Sequence, residues 1–222
     1  MIKICGLNDA AAVEATVDAG ADLAGFVFFE KSPRHVGLET ARALAGRLKG
    51  GLAPRTRAVA LVVDADDAAI AAIIAYLDPA FLQLHGDETP ARVRDIRQRF
   101  ARPVIKALGV RDRGDLARAA EYAPVCDMLV FDAKPPQAAT RPGGLGVPFD
   151  WAALDGFQSP APWLLSGGLT PDTVAAAIAA TGAPGVDVSS GVERAPGVKD
   201  AARVRAFVDA AARALSSAAA RG

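Results

Sequence analysis

The feature that most constrains the fold is the regular alternation of short apolar runs with longer, alanine-rich amphipathic stretches along the 222 residues. Strands that alternate with helices favour a parallel sheet covered by helices. Eight such units predict an α/β fold of the closed (β/α)8 type, a TIM barrel, rather than an open doubly wound sheet, which usually has fewer strands. The predicted strands are Ile2–Cys5, Leu23–Phe28, Arg57–Val62, Phe81–Leu84, Pro103–Ala107, Met128–Phe131, Trp163–Leu165 and Val186–Val188. The predicted helices lie near 9–20, 38–49, 66–77, 89–99, 111–122, 149–155, 171–181 and 199–218.

Length and composition indicate one domain that covers residues 1–222, because no linker or change of composition divides the chain. The 25 basic side chains balance 25 acidic ones, so the sequence carries no electrostatic footprint for nucleic acid. The apolar runs are far shorter than the roughly 20 residues that span a bilayer, and no signal-peptide pattern is present. We therefore expect a cytoplasmic monomer or homodimer without nucleic-acid or membrane partners.

Cys5 and Asp132 are the candidate catalytic residues, because each lies where a predicted strand ends. Barrel enzymes carry their chemistry at the carboxyl ends of the strands and in the following loops. Core packing is the alternative for a free cysteine, and a helix cap is the alternative for the aspartate. Position alone leaves the two interpretations of Cys5 evenly balanced. As a base, Cys5 would need its pKa lowered by positive charge or by the helix that opens near Asn8.

The stretch 133–148 follows the predicted sixth strand and is longer than most loops in a compact domain. It contains Gly144 and Gly146 in a glycine-rich run. Loops of this length usually form a lid or bind a ligand, and glycine lets the backbone approach a ligand closely. We predict that these two glycines contact the substrate, and the loop favours a functional role for Asp132.

Two segments rich in glycine and serine follow the last two predicted strands. Leu165–Leu169 leads into a helix, and Asp187–Glu193 follows the final strand. Each segment alone is typical of a tight turn. Barrels frequently bind phosphate between these two loops, with backbone N–H groups and a short helix amino end. The pair therefore predicts a phosphate site formed by Ser166, Gly167, Gly168, Ser189, Ser190 and Gly191.

Three further side chains near predicted strand ends are candidate substrate contacts. Arg34 lies in the polar stretch after the second strand, where its planar fork of donors suits a carboxylate. A solvated loop is the ordinary alternative for such a stretch. Gln83 and His85 alternate onto one face at the end of the fourth strand. We predict that both line the pocket and that His85 has no catalytic role.

Together these motifs resemble phosphoribosylanthranilate isomerase, the barrel enzyme of tryptophan biosynthesis. The motifs follow the family's order from the first strand to the last, so the resemblance covers nearly the whole chain. As a set they are highly specific. The matching segments are Lys3–Gly6, Gly25–Phe28, Lys31–Arg34, Leu82–Gly86, Ile105–Ala107, Asp132, Gly143–Gly144, Phe149–Trp151, Leu165–Leu169 and Val186–Glu193.

The resemblance implies an Amadori rearrangement of N-(5'-phosphoribosyl)anthranilate to 1-(2-carboxyphenylamino)-1-deoxyribulose 5-phosphate. It implies that Asp132 is the general acid that opens the furanose ring and that Cys5 is the general base at C2 of the sugar. Arg34 would hold the anthranilate carboxylate, and the serine-glycine loops would hold the phosphate. Proton transfers of this kind need neither a metal nor a redox cofactor, and we expect none.

One position departs from the family pattern. Leu145 stands where the family commonly has serine or threonine, whereas backbone contacts from Gly144 and Gly146 would survive the change.

Two alternative functions compete with this one. The first alternative is the related sugar isomerase of histidine biosynthesis, which uses two aspartates, and Cys5 argues against it. The second is a catalytically silent barrel that only binds a phosphoribosyl ligand, and the presence of both Cys5 and Asp132 argues against that.

Overall fold

Eight parallel strands, hydrogen-bonded in chain order, close into a barrel in the computed structural model. The structure describes residues 1–48, 56–134 and 150–220. The first and last strands pair directly, with Lys3 opposite Asp187, and this pairing closes the sheet. The predicted (β/α)8 barrel is confirmed. Its strands are β1 (Ile2–Cys5), β2 (Leu23–Phe28), β3 (Arg57–Val62), β4 (Phe81–Leu84), β5 (Val104–Val110), β6 (Met128–Ala133), β7 (Trp163–Leu165) and β8 (Val186–Val188).

Helices cover the outside of the barrel and connect successive strands, as the alternation predicts. The α-helices are α1 (Ala10–Asp18), α2 (Leu38–Leu48), α3 (Asp67–Leu77), α4 (Pro90–Phe100), α5 (Ala119–Tyr122), α6 (Val174–Thr181) and α7 (Ala201–Ala219). Short 3-10 helices lie at Arg113–Arg118, Trp151–Leu154 and Ser190–Val192. A hairpin of β9 (Glu193–Ala195) and β10 (Val198–Lys199) follows β8. None of the described helices combines the length and the apolar character that crossing a membrane would require.

Both faces of the barrel strands are buried, which explains their almost uninterrupted apolar sequences. On β1, Ile2 and Ile4 pack with the helices in the main core, whereas Lys3 and Cys5 face the barrel interior. Polar side chains inside the barrel are therefore exceptions that need partners. The apolar residues that fill the interior are Leu23, Val59, Ile105, Ala107, Met128, Val130 and Leu164.

Two strands extend beyond their predicted ends. The sequence predicts ends at Ala107 and Phe131, but the ladder between β5 and β6 continues to Val110 and Ala133. A polar residue marks the end of a strand only where backbone pairing also stops, and here the pairing continues. Asp132 therefore belongs to β6 itself and does not lie in the loop after it.

Three predicted helices are shorter or tighter than expected. The one near 111–122 is a 3-10 helix followed by the single turn of α5, the one near 149–155 is only a 3-10 helix, and the one near 171–181 begins at Val174. In the first case the Asp112 side chain accepts a hydrogen bond from the Gly114 N–H. Such local side-chain bonds compete with the α-helical pattern.

A buried ion pair joins β5 to the loop after β4 on the outside of the barrel. Lys106 alternates with the inward-facing Ile105 and so faces the helices, where its Nζ lies 2.7 Å from Glu88 Oε2. Glu88 also accepts hydrogen bonds from the backbone N–H groups of Asp64 and Gly86. Both charged side chains are almost fully buried, so each compensates the charge of the other.

Replacing Lys106 with methionine is expected to lower the free energy of unfolding by about 3 kcal/mol, because the Glu88 carboxylate would stay buried without its counter-ion. The matched control is Arg47→Met, which breaks the Arg47–Glu14 pair, whose side chains are 51% and 56% exposed. That variant is expected to lose less than about 1 kcal/mol. Urea unfolding followed by circular dichroism measures both losses. Equal losses would contradict this account of the buried pair.

Candidate active site

The barrel mouth gathers the two predicted catalytic side chains. Cys5 is the last residue of β1, Asp132 is the last but one of β6, and both are buried. In the closed barrel, β7 and β8 lie between β6, which carries Asp132, and β1, which carries Cys5. Groups carried on strands are held more accurately than groups on loops. The two candidates therefore stand on rigid parts of the fold at the end where barrel enzymes carry their chemistry.

The Cys5 side chain occupies space that a glycine leaves open. Gly25 lies opposite Cys5 in the β1–β2 register, and a Cβ at that position would come within 2.9 Å of the Cys5 sulfur. The Lys3 ammonium lies 2.9 Å from Asp187 Oδ1, and its charge acts on the Cys5 thiol. Ser189 donates its hydroxyl to the Cys5 carbonyl at 3.0 Å. Contacts from β1, β2 and β8 and its following loop thus fix both the thiol and its backbone.

Burial raises the pKa of the Cys5 thiol, although the charge of Lys3 acts in the opposite direction. Lys3 stays charged, because its ion pair with Asp187 outweighs the effect of burial and raises its pKa. The positive neighbour that a basic Cys5 would need is therefore present, but burial raises the pKa of the thiol instead of lowering it. Desolvation dominates, and the resting protein holds Cys5 as a thiol at neutral pH.

The raised pKa predicts a late appearance of the Cys5 thiolate in an alkaline titration. We expect the absorbance difference at about 240 nm between the wild type and Cys5→Ser to develop with a midpoint above 9.0, the ordinary value. The second thiol, Cys126, is present in both proteins and cancels; burial raises its pKa to about 11. A thiolate already present at neutral pH would contradict the dominance of burial.

Asp132 lies next to His85, which in turn lies next to Gln83. Its Oδ1 accepts a hydrogen bond from the Ala133 N–H at 2.9 Å, and its Oδ2 lies 3.4 Å from His85 Nε2. The other ring nitrogen, His85 Nδ1, lies 3.4 Å from Gln83 Nε2. Gln83 and His85 thus share a face, as their alternation predicts. Gln83 is fully buried, and its Oε1 has no hydrogen-bond partner among the described residues.

Arg34 is almost fully buried and meets an internal carboxylate. Its Nε and Nη2 donate to Glu193 Oε1 and Oε2 at 2.7 and 2.9 Å. Lys199 Nζ lies 2.7 Å from the same carboxylate and donates to the Ser189 carbonyl at 3.0 Å. Burial alone would raise the pKa of Glu193, but the two cations outweigh it and lower the pKa. The ordinary alternative of a solvated loop residue therefore fails for Arg34.

The two predicted phosphate loops touch one another. A Cβ at Gly191 would lie 1.8 Å from the Leu169 carbonyl oxygen, so this approach requires glycine. Gly167 and Gly168 have φ values of 89° and 66°, in the left-handed region that favours glycine. This contact joins the two segments that carry the residues predicted to bind phosphate, which are Ser166, Gly167, Gly168, Ser189, Ser190 and Gly191.

A cavity of about 630 Å³ opens beside the β7 loop, where Gly167 and Gly168 line it together with Trp151. Gly144 and Gly146 lie outside the described residues, and their contact with the substrate stays a prediction.

Four charged residues organise the mouth in a way that the sequence alone does not show: Lys3, Asp187, Glu193 and Lys199. Lys3 carried a usable signal, because alternation places it on the same face as Cys5. Asp187, Glu193 and Lys199 carried none, since their partners are remote in sequence: Arg34 and Glu193, for example, are 159 residues apart.

Proton transfer between rigidly held groups, with backbone loops for an anion nearby, characterises an acid/base enzyme built on a (β/α)8 barrel. Comparison with known proteins identifies the family. The family model described as N-(5'phosphoribosyl)anthranilate (PRA) isomerase matches residues 2–210. The chain belongs to this family.

Curated relatives agree with the family model over almost the whole length. The N-(5'-phosphoribosyl)anthranilate isomerase of Bradyrhizobium sp. (strain ORS 278) is 54% identical over 211 residues, which are 95% of this chain and 94% of the relative. That of Paracoccus denitrificans (strain Pd 1222) is 55% identical over 207 residues, 93% of this chain and 94% of the relative.

Solved structures share the fold at lower identity. Phosphoribosyl anthranilate isomerase from Thermotoga maritima is 35% identical, with a TM-score of 0.84 over 96% of this chain and 98% of that one. Another structure, 32% identical with a TM-score of 0.81 over the same shares, is a complex with reduced 1-(o-carboxyphenylamino)-1-deoxyribulose 5-phosphate. A third, with the same scores and coverage, shows generated monomers of the dimeric Thermotoga maritima enzyme.

Proposed function

We propose that the chain converts N-(5'-phosphoribosyl)anthranilate to 1-(2-carboxyphenylamino)-1-deoxyribulose 5-phosphate, the isomerisation of tryptophan biosynthesis. The observation that carries this conclusion is the match to the isomerase family across residues 2–210. The substrate is a phosphorylated small molecule. The barrel mouth offers the groups that the reaction needs, namely a carboxyl, a thiol, a guanidinium and two glycine-rich loops.

Asp132 is the proposed general acid of the first step. Its carboxyl gives a proton to the furanose ring oxygen, the C1–O bond breaks, and the nitrogen lone pair forms the C=N bond of a Schiff base. Such catalysis contributes on the order of 10²–10⁴ in rate. His85, 3.4 Å from Asp132 Oδ2, holds the orientation of the carboxyl that this transfer requires.

Cys5 is the proposed general base of the second step. The resting thiol first loses its proton to solvent; the thiolate then takes the proton from C2, and the C–H electron pair forms the C1=C2 double bond of an enolamine while the iminium nitrogen becomes neutral. The charge of the neighbouring Lys3 ammonium stabilises the thiolate that this step uses. The enolamine then tautomerises: the C2 hydroxyl loses a proton, C1 gains one, and the ketone results.

The proposed binding groups address different parts of the substrate. Arg34 takes the anthranilate carboxylate, for which its planar fork is suited. Gln83 and His85 line the pocket at the sugar, where the buried Gln83 Oε1 can accept a hydrogen bond from a hydroxyl. The backbone N–H groups of the β7 and β8 loops take the phosphate. Gly144 and Gly146 are proposed to add backbone contacts.

The test follows the loss of fluorescence of N-(5'-phosphoribosyl)anthranilate, generated in situ, on addition of the purified protein. The phosphorylated aminoaldose of histidine biosynthesis is assayed in parallel. Turnover of the first substrate alone is expected. Turnover of the second alone would favour the isomerase that uses two aspartates, and turnover of neither would favour a barrel that only binds its ligand.

Two further proposals concern the assembly and the location of the protein. We propose one domain over residues 1–222 that acts as a monomer or a homodimer. The dimeric Thermotoga maritima relative, of which monomers have been generated, supports either state. Sedimentation velocity at two protein concentrations distinguishes them. A cytoplasmic location stays a prediction from the sequence.

A further inference from the structure

Three buried charged side chains beside the barrel mouth form a connected group, which we call the Glu193 cluster: Arg34, Glu193 and Lys199. The Glu193 carboxylate accepts two hydrogen bonds from Arg34, one from Lys199 and one, at 3.2 Å, from the Gly197 N–H. All three side chains are at most 5% exposed. Glu193 therefore accepts four hydrogen bonds from groups on two different segments of the chain.

The hairpin that carries Glu193 is packed directly on the segment that carries Arg34. A Cβ at Gly197 would lie 2.3 Å from the Pro33 carbonyl oxygen, and Gly197 has a φ of 79°. The arginine stem passes over the end of β1, where a Cβ at Gly6 would meet Arg34 Cδ at 2.4 Å. The arginine is thus held at its guanidinium by Glu193 and along its stem by the close approach of Gly6.

We propose that Glu193 is the positioning residue of the carboxylate clamp, because it sets the plane of the Arg34 guanidinium before the anthranilate carboxylate arrives. The inference rests on the proposed function of Arg34. A bidentate pair between arginine and a carboxylate fixes orientation as well as distance. An arginine held in this way loses less conformational freedom when it binds a second carboxylate, and this preorganisation strengthens binding.

The opposite role for Glu193 is that of a competitor, which occupies the arginine until the substrate displaces it. Displacement requires a carboxylate that can leave, whereas Glu193 is also tied to Lys199 and to the Gly197 N–H. Leaving would strand the buried Lys199 ammonium, and breaking a buried pair is strongly unfavourable. The geometry therefore favours positioning over competition.

The experiment compares the binding of two ligands to wild-type and variant proteins by isothermal titration calorimetry. One ligand is reduced 1-(o-carboxyphenylamino)-1-deoxyribulose 5-phosphate, and the other is its phenylamino counterpart without the carboxylate. Glu193→Asp keeps the charge but shortens the reach, and Glu193→Gln keeps the shape but removes the charge. In both variants we expect affinity for the first ligand to fall by on the order of tenfold, because a charge-assisted contact is misaligned. Affinity for the second is expected to stay within about twofold, since it makes no such contact.

Lys199→Met is the matched control within the cluster. It leaves both hydrogen bonds between Arg34 and Glu193 in place, so the ratio of the two affinities is expected to stay near that of the wild type. Circular dichroism and thermal melting select the assay temperature at which every variant is folded. If Glu193→Gln is unstable, Glu193→Asp still tests the inference, because it preserves the charge balance of the cluster.

Three results would overturn the inference. Tighter binding of the carboxylate ligand by Glu193→Gln would make Glu193 a competitor. An equal loss for both ligands in Glu193→Asp would reduce Glu193 to a structural role. Failure of the wild type to bind either ligand would remove the proposed function itself, and with it any clamp to position.

Discussion

Cys5→Ser is expected to lower kcat by on the order of 10³, while the affinity for a product analogue changes by less than about twofold. Serine fits the space opposite Gly25, so the backbone and the phosphate loops keep their places. A serine hydroxyl is a far weaker acid than a thiol, and even the neighbouring Lys3 ammonium does not generate the anion that takes the C2 proton. Stopped-flow fluorescence of N-(5'-phosphoribosyl)anthranilate measures the loss.

The control for this variant is Cys126→Ser. Cys126 is also buried, but it packs in the core between the barrel and the helices, away from the mouth. We expect this substitution to lower stability and to leave kcat within about twofold of the wild type, because it touches no proposed catalytic group. Similar losses of kcat in the two variants would show that disturbed packing, rather than loss of the base, explains the effect at Cys5.

Asp132→Asn is expected to lower kcat by a comparable amount, on the order of 10³. The asparagine amide keeps the size of the carboxyl and can still bond the Ala133 N–H and His85. It has no acidic proton to give to the furanose ring oxygen, so ring opening should become rate-limiting. Single-turnover measurements with excess protein report this step without interference from product release.

Asp127→Asn is the matched control for the acid, because Asp127 directly precedes the same strand at the opposite end of the barrel. Its carboxylate pairs with Arg97 and accepts the Val104 N–H. The substitution is expected to cost stability and to spare turnover. Retention of more than about a tenth of the wild-type rate by Asp132→Asn would mean that another group donates the proton.

The barrel itself was predictable from the sequence, for a simple physical reason. Strands buried on both faces are mostly apolar, and Leu23–Phe28 and Arg57–Val62 therefore appear in the sequence with the same bounds that the structure gives them. The site was predictable where local position suffices. Cys5 ends β1, and Gln83 and His85 share a face through simple alternation.

Properties that depend on remote partners were not predictable. The end of β6 depends on pairing with β5, which carries Asp132 into the strand. The pKa of Cys5 depends on how completely the barrel buries it, and Lys3 meets Asp187 across 184 residues of sequence. Arg34 and Glu193 meet only after the hairpin of β9 and β10 folds onto the loop after β2, which carries Arg34. No local pattern records such contacts.

The most direct test of the central claim, an isomerase whose acid and base are Asp132 and Cys5, is a single-turnover experiment on three proteins. Wild type, Cys5→Ser and Asp132→Asn are each first shown to bind reduced 1-(o-carboxyphenylamino)-1-deoxyribulose 5-phosphate and are then mixed in excess with N-(5'-phosphoribosyl)anthranilate. The account predicts rapid loss of substrate fluorescence with the wild type only, and binding without conversion in both variants. Conversion at the wild-type rate by either variant, or no conversion by the wild type, would contradict it.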